Sequence, residues 1–215
     1  MNSLLYKKRY LKTGIKDFDK ITNGIPDGKI VELVGSSDTG KTKLLFDIID
    51  NLKTEDIIIC YIATNSNSLG YLKSRKLDKN EKLIITVSNN EDEVLTIIKK
   101  YINIVDLFIL DNIAEVLTKN EYNNMNLKIN QDMPNFLSNL NSIFYGEKSS
   151  IIVVNYLINK NNKSIPRWDK LFNQYCSIRI KINKNKLKLL SNKTKNNVLG
   201  GGFYELFLEH NRLQK

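Results

Sequence analysis

Short apolar runs bounded by polar residues recur along the chain at Lys29–Val34, Asp56–Ala63, Leu83–Val87, Val105–Asp111 and Ser150–Leu157. Runs of that length predict strands buried on both faces. Between them apolar positions recur at helical spacing. Leu44, Leu45, Ile48 and Ile49 give one face, Val94, Leu95, Ile97, Ile98 and Tyr101 a second, and Phe136, Leu137, Leu140, Ile143 and Phe144 a third. Strands alternating with helices predict an α/β fold built on a mainly parallel sheet flanked by helices. After Trp168 the period changes to two: "SIRIKI" and "KLKLL" alternate around Asn183-Lys184-Asn185, and "GFYELFLEH" follows Gly200-Gly201-Gly202. These segments predict C-terminal antiparallel strands added at the sheet edge. The Asn-rich stretches Lys119–Met133 and Asn159–Ser164 read as exposed loops.

One junction between a predicted strand and a predicted helix carries chemistry. Gly35-Ser36-Ser37-Asp38-Thr39-Gly40-Lys41-Thr42 fits G-x-x-x-x-G-K-[ST], between the strand-like "KIVELV" and the helix-like "KTKLLFDIIDNL". Glycines let main-chain N–H groups converge on phosphate oxygens at a helix N-terminus, where the macrodipole favours negative charge. In such a loop Lys41 reaches the outer phosphates and Thr42 holds Mg²⁺. The expected ligand is a phosphate-bearing nucleotide with magnesium.

Composition adds limits. At 215 residues, with 41% hydrophobic and 26% charged residues, the chain suits one well-buried domain and not two of ordinary size. No run approaches the length of a membrane span, and "MNSLLYKKRYLK" lacks the apolar core of a signal peptide, so no membrane and a cytoplasmic setting are expected, nuclear if the source is a eukaryote. Cys60 and Cys176 match neither a disulfide framework nor a zinc spacing and are expected to be inert core thiols; His210 receives no role. A net charge of +10 favours a polyanionic partner.

"TGIKDFDKITNGIPDGKIVELVGSSDTGKT" resembles the opening of the RecA-type recombinase and ATPase family: a TG dipeptide, an Asp, a Gly-x-Pro-x-Gly turn, a strand and the phosphate loop. The resemblance continues through "IICYIATNSN", "VDLFILDN", "IIVVNYL" and the closing "CSIRIKINKNKLKLLSNKTKNNVLGGGFYELFL", and covers roughly Leu11 to Leu213. It implies a short N-terminal segment over 1–12 and a RecA-like P-loop ATP-binding domain over 13–215, without the large C-terminal domain of the bacterial protein. Asp111, at the end of "LFIL", then shares the magnesium with Thr42, because a carboxylate at the C-terminal end of a parallel strand faces the site. The family's water-activating glutamate corresponds to Asn65, and its phosphate-sensing glutamine to Tyr156, after Asn155. Asn cannot accept a proton at neutral pH, so the resemblance implies ATP binding with weak or absent hydrolysis. Asp78, the nearest carboxylate downstream of Asn65, lies beyond the expected site.

The resemblance also places Tyr71 where the family stacks an aromatic on adenine, though a core-facing tyrosine on a short helix fits the residue as well. Lys193 corresponds to a lysine that reaches phosphates of a neighbouring subunit. Asn112–Met133 and Ile158–Arg167 correspond to the loops that contact single-stranded DNA. Lys160, Lys163 and Arg167 would supply charge there and Trp168 a stacking platform; a solvated loop and a core anchor are the alternatives. The implied partners are single-stranded DNA and a further copy or a related RecA-like subunit. The competing function is a nucleotide-gated structural or regulatory protein without DNA chemistry.

Overall fold

The structure, a computed structural model, describes residues 9–117, 133–160, 163–183 and 202–207. Its centre is a sheet in the order β10 (Gly202–Phe207), β9 (Cys176–Asn183), β3 (Ile30–Gly35), β7 (Ser150–Lys160), β6 (Leu107–Asp111), β4 (Ile59–Ala63) and β5 (Leu83–Val87). Every neighbouring pair along that order is parallel. β8 (Lys163–Pro166) folds back antiparallel on the end of β7. A separate two-stranded antiparallel pair, β1 (Tyr10–Leu11) with β2 (Ile25–Pro26), lies ahead of the sheet in sequence.

Alternate residues of the strands enter two different cores, which is why the runs read as continuously apolar. Val31, Leu33, Ile59, Tyr61, Ile109, Ile152 and Ile180 pack in one core with α1 (Lys16–Thr22), α2 (Lys41–Leu52) and α3 (Asn67–Ser74). Ile30, Cys60, Ile62, Phe108, Leu110, Ile151 and Val153 pack in the other with α4 (Glu91–Tyr101), α5 (Met133–Phe144) and α6 (Asp169–Tyr175). The helical faces read from the sequence are the faces buried: Leu44, Leu45, Ile48 and Ile49 in α2, Val94 and Ile98 in α4, Phe136, Leu137, Leu140 and Phe144 in α5. Both cysteines are buried, and burial pushes the Cys60 thiol up to about 12. Among the described residues no helix is long and apolar enough to cross a membrane.

The closing strands differ from the sequence expectation in direction. β9 runs parallel to β3, and β10 parallel to β9. Period two reports which faces a strand shows and not its direction, and α6, which returns the chain to the start of the sheet before β9, was not read from the pattern. The expected second arm, "KLKLL", lies outside the described residues, as do Lys193, His210 and 119–132 of the first Asn-rich loop. The second Asn-rich loop is a hairpin instead: β7 continues to Lys160 and pairs Leu157 with Pro166 through Lys160 with Lys163.

The TG dipeptide and Asp19 form one unit ahead of the sheet. Asp19 Oδ1 accepts from the Thr13 amide at 2.9 Å and its hydroxyl at 3.0 Å, and Oδ2 accepts from the Gly14 amide at 3.0 Å.

A phosphate loop facing two carboxylates

The loop from Gly35 to Thr42 leaves the C-terminal end of β3 and opens α2. Gly35 has no room for a side chain: a Cβ there would lie 2.7 Å from Thr39 Oγ1 and 2.8 Å from the Ile182 carbonyl oxygen. Thr39 Oγ1 donates to the Ser36 carbonyl at 2.9 Å, while Ser36, Ser37 and Asp38 are exposed. Gly40 sits at φ 94° as the residue preceding α2, and no side chain caps the helix, so its first N–H groups are left for an outside acceptor. Lys41 is buried and curls back on the loop, donating to the carbonyls of Gly35 at 2.9 Å and Ser36 at 2.6 Å. Burial pulls its pKa down to about 8, against the opposing pull of Asp111 and Asp38.

Asp111 ends β6, and its peptide bond to Asn112 is cis. Its Oδ2 accepts from Thr42 Oγ1 at 3.1 Å and from the Tyr61 hydroxyl at 2.7 Å. Burial holds this carboxyl above the ordinary carboxylate range, with the Tyr61 and Thr42 bonds and the Lys41 charge pulling the other way. The Tyr61 phenol is pushed up, chiefly by burial and then by the Asp111 charge.

An open cleft of about 410 Å³ extends from Thr42 and Asp111, with Asn65, Tyr71, Glu115 and Tyr156 in its lining. Asn65 does not stand alone there. Its Nδ2 donates to Glu115 Oε2 at 2.5 Å, and Thr64 Oγ1 donates to the same oxygen at 2.9 Å. Glu115 arrives on the 3₁₀ turn Ile113–Glu115 that follows β6. Reading no further than Asp78, the nearest carboxylate downstream of Asn65, missed it. Its spacing, four residues after Asp111, gave no signal by itself, because which strand end lies beside that turn depends on the pairing of β6 with β4.

Tyr156 follows Asn155 on β7 and covers Lys41, whose Nζ is 4.4 Å from the ring centroid. Its hydroxyl accepts from Asn112 Nδ2 at 3.3 Å. Asn155 points away, fully buried, with Nδ2 donating to Glu32 Oε1 at 2.6 Å and to the Arg167 carbonyl at 2.8 Å. Tyr71 lines the cleft from α3, its ring stacked on Phe46 at 5.2 Å and 5.1 Å from the Arg75 guanidinium carbon. Lys160 and Lys163 are exposed at the far end of the β7–β8 hairpin. Arg167 and Trp168 turn inward: the Arg167 guanidinium donates to the Ala114 carbonyl and lies 4.3 Å from the Trp168 ring, which packs against the second core.

These residues fit a magnesium-bound triphosphate. Magnesium takes oxygen ligands and keeps several waters, a need met by one hydroxyl and one carboxylate already 3.1 Å apart. The bare approach at Gly35 and the uncapped start of α2 suit phosphate oxygens, and Lys41 need only exchange loop carbonyls for them.

Residues 11–200 match the family model for the RecA N-terminal domain. Protein RecA of Ureaplasma parvum serovar 3 is 32% identical over 189 residues, which is 81% of this chain and 56% of that protein. Protein RecA of Mycoplasma genitalium is 26% identical over 204 residues, 87% of this chain and 59% of its own length. The chain thus spans a little over half the length of the curated relatives it matches. The crystal structure of the KaiC-like protein PH0186 from Pyrococcus horikoshii OT3 superposes with a TM-score of 0.54 at 20% identity, covering 74% of this chain and 86% of that one, a likeness of fold. The match of the family model across residues 11–200, on a sheet whose strands run parallel from β10 to β5, shows that this chain belongs to the RecA N-terminal domain family.

Proposed function

We propose that this chain binds ATP with magnesium between the Gly35–Thr42 loop and Asp111, turns it over slowly, and works in DNA recombination or repair by contacting single-stranded DNA and assembling with further copies or a related subunit. The observation that carries the nucleotide part is the Thr42 hydroxyl within 3.1 Å of Asp111 Oδ2, across 69 residues of sequence and beside an uncapped helix start. DNA contact draws support from the basic balance, the exposed lysines of the β7–β8 hairpin and the relatives named RecA. Fluorescence anisotropy with labelled single-stranded DNA, with and without ATP and magnesium across a salt series, tests it. Binding that strengthens with nucleotide and weakens with salt supports the reading. Lys41→Ala, tested by calorimetry, should lose ATP.

A second reading, a nucleotide-gated regulatory or structural protein without DNA chemistry, is favoured by the inward engagement of Arg167 and Trp168, which removes half of the expected DNA-facing side chains from the hairpin. ATP binding without any DNA binding at low salt would select it.

A further inference from the structure

Hydrolysis of a phosphoanhydride by water needs a group that accepts the water's proton, and the sequence reading found none. The cleft supplies one. Its lining holds two carboxylates, Asp111 and Glu115. Asp111 is buried and already accepts from Thr42 and Tyr61 on one oxygen. Glu115 is only half-buried, so water reaches it, and both its bonds in the cleft, from Thr64 and Asn65, fall on Oε2. They fix the carboxylate in place and leave Oε1 outside that pair. The other candidates fail on chemistry: burial raises the Tyr156 phenol, Lys41 is held on loop carbonyls, and Asn65 is an amide that can only orient.

Resting on the ATP-binding reading above, we propose that Glu115 is the general base of this site, delivered by the turn after β6, with Asn65 and Thr64 as its positioning residues. In the step, the water oxygen bonds to the terminal phosphorus while its proton passes to the Glu115 carboxylate. The bond from that phosphorus to the bridging oxygen breaks, and its electron pair leaves with the diphosphate. Glu115 then returns the proton to solvent. Asn65 is thereby a consequence of the relocation: a second glutamate at 65 would place two carboxylates in direct contact, which disfavours ionising both.

The test uses the full chain in three forms: wild type, Glu115→Gln, and Asn65→Glu combined with Glu115→Gln, which exchanges carboxylate and amide across the same hydrogen bond. Three quantities are measured: single-turnover ATP hydrolysis, calorimetric affinity for a non-hydrolysable ATP analogue with magnesium, and the melting temperature without nucleotide. Glu115→Gln should slow hydrolysis by roughly a hundredfold or more, the usual share of a general base, with analogue affinity and melting temperature nearly unchanged. The exchanged pair should regain about tenfold or more of that loss, which a purely structural role of Glu115 does not predict. Hydrolysis by Glu115→Gln at the wild-type rate, or an exchanged pair that folds and binds yet regains nothing, overturns the assignment while leaving ATP binding intact. Wild-type protein that fails to bind the analogue overturns the ATP-binding reading instead.

Discussion

The Tyr61 hydroxyl donates to Asp111 Oδ2 across 2.7 Å, from one parallel strand to its neighbour. With Thr42 on the same oxygen, two donors hold a carboxylate that burial nonetheless keeps above its ordinary pKa. Below the unfolded value, about 3.9, both states carry the proton, and above the raised folded value neither does. Between the two, the folded state keeps a proton the unfolded state has lost, so this group's contribution to stability falls as pH rises through that window. Asp111→Asn keeps an acceptor for Tyr61 and Thr42 without the charge. Differential scanning calorimetry should show the nucleotide-free variant melting above wild type at pH 7, with the gap closing toward pH 4. The same variant should lose magnesium-dependent ATP affinity. A gap that does not change with pH counts against a buried charge at this position.

Lys41 has the opposite sign. Burial brings it to about 8, below the ordinary lysine value, so between about 8 and that value the unfolded chain holds a proton the folded chain has released. Stability from this group therefore rises with pH across the window. A triphosphate reverses the balance by favouring the ammonium form. At pH 8.5 ATP binding should take up on the order of half a proton or more, and at pH 6.5 close to none. Calorimetry in two buffers of different ionisation enthalpy reads the uptake directly, and Lys41→Arg, which stays charged, should abolish it.

Much of this was legible because local rules and global fold agree. The eight residues from Gly35 to Thr42 declare strand, loop and helix together, and Asp111 follows from standing at the end of an apolar run. Glu115 was hidden because its role depends on where β6 lies relative to β4, a pairing that no periodicity encodes. The direction of β9 was hidden for the same reason, since alternation is identical in parallel and antiparallel strands. Trp168, for which the sequence left a stacking platform and a core anchor both open, packs its partly buried ring against the second core.

At the tip of the β7–β8 hairpin Lys160 and Lys163 face each other in register, both exposed. Each phosphate contact on a single strand contributes about 0.7 to the salt slope of binding, so Lys160→Ala with Lys163→Ala should lower that slope by roughly 1.4 and weaken all sequences alike. Trp168→Phe, by contrast, should leave the slope alone and lower the melting temperature. Anisotropy titrations at several salt concentrations separate the two, and an unchanged slope in the double-lysine variant removes the hairpin tip from the DNA surface.

The buried pair of Glu32 and Arg179 joins β3 to β9 beneath the site. Arg179 Nε donates to Glu32 Oε2 at 2.5 Å, with both side chains fully buried, and Arg179 also donates to Asn173 Oδ1. Burial raises the Glu32 carboxyl, while the charge and hydrogen bond of Arg179 and the Asn155 bond lower it. Arg179→Met strands that carboxylate without its cation, a loss of about 3–5 kcal/mol. At about 2–4 °C per kcal/mol the melting temperature should fall by roughly 10 °C. Glu32→Leu added to Arg179→Met removes the stranded charge and should recover most of the loss, because a well-packed apolar pair matches a buried ion pair. Asn155, which Glu32 holds, precedes Tyr156 on β7, so the single variant should also bind ATP less tightly at a temperature where it remains folded. Chemical denaturation of the two variants side by side is the measurement. Equal losses in both would mean that the pair contributes through shape and not through charge.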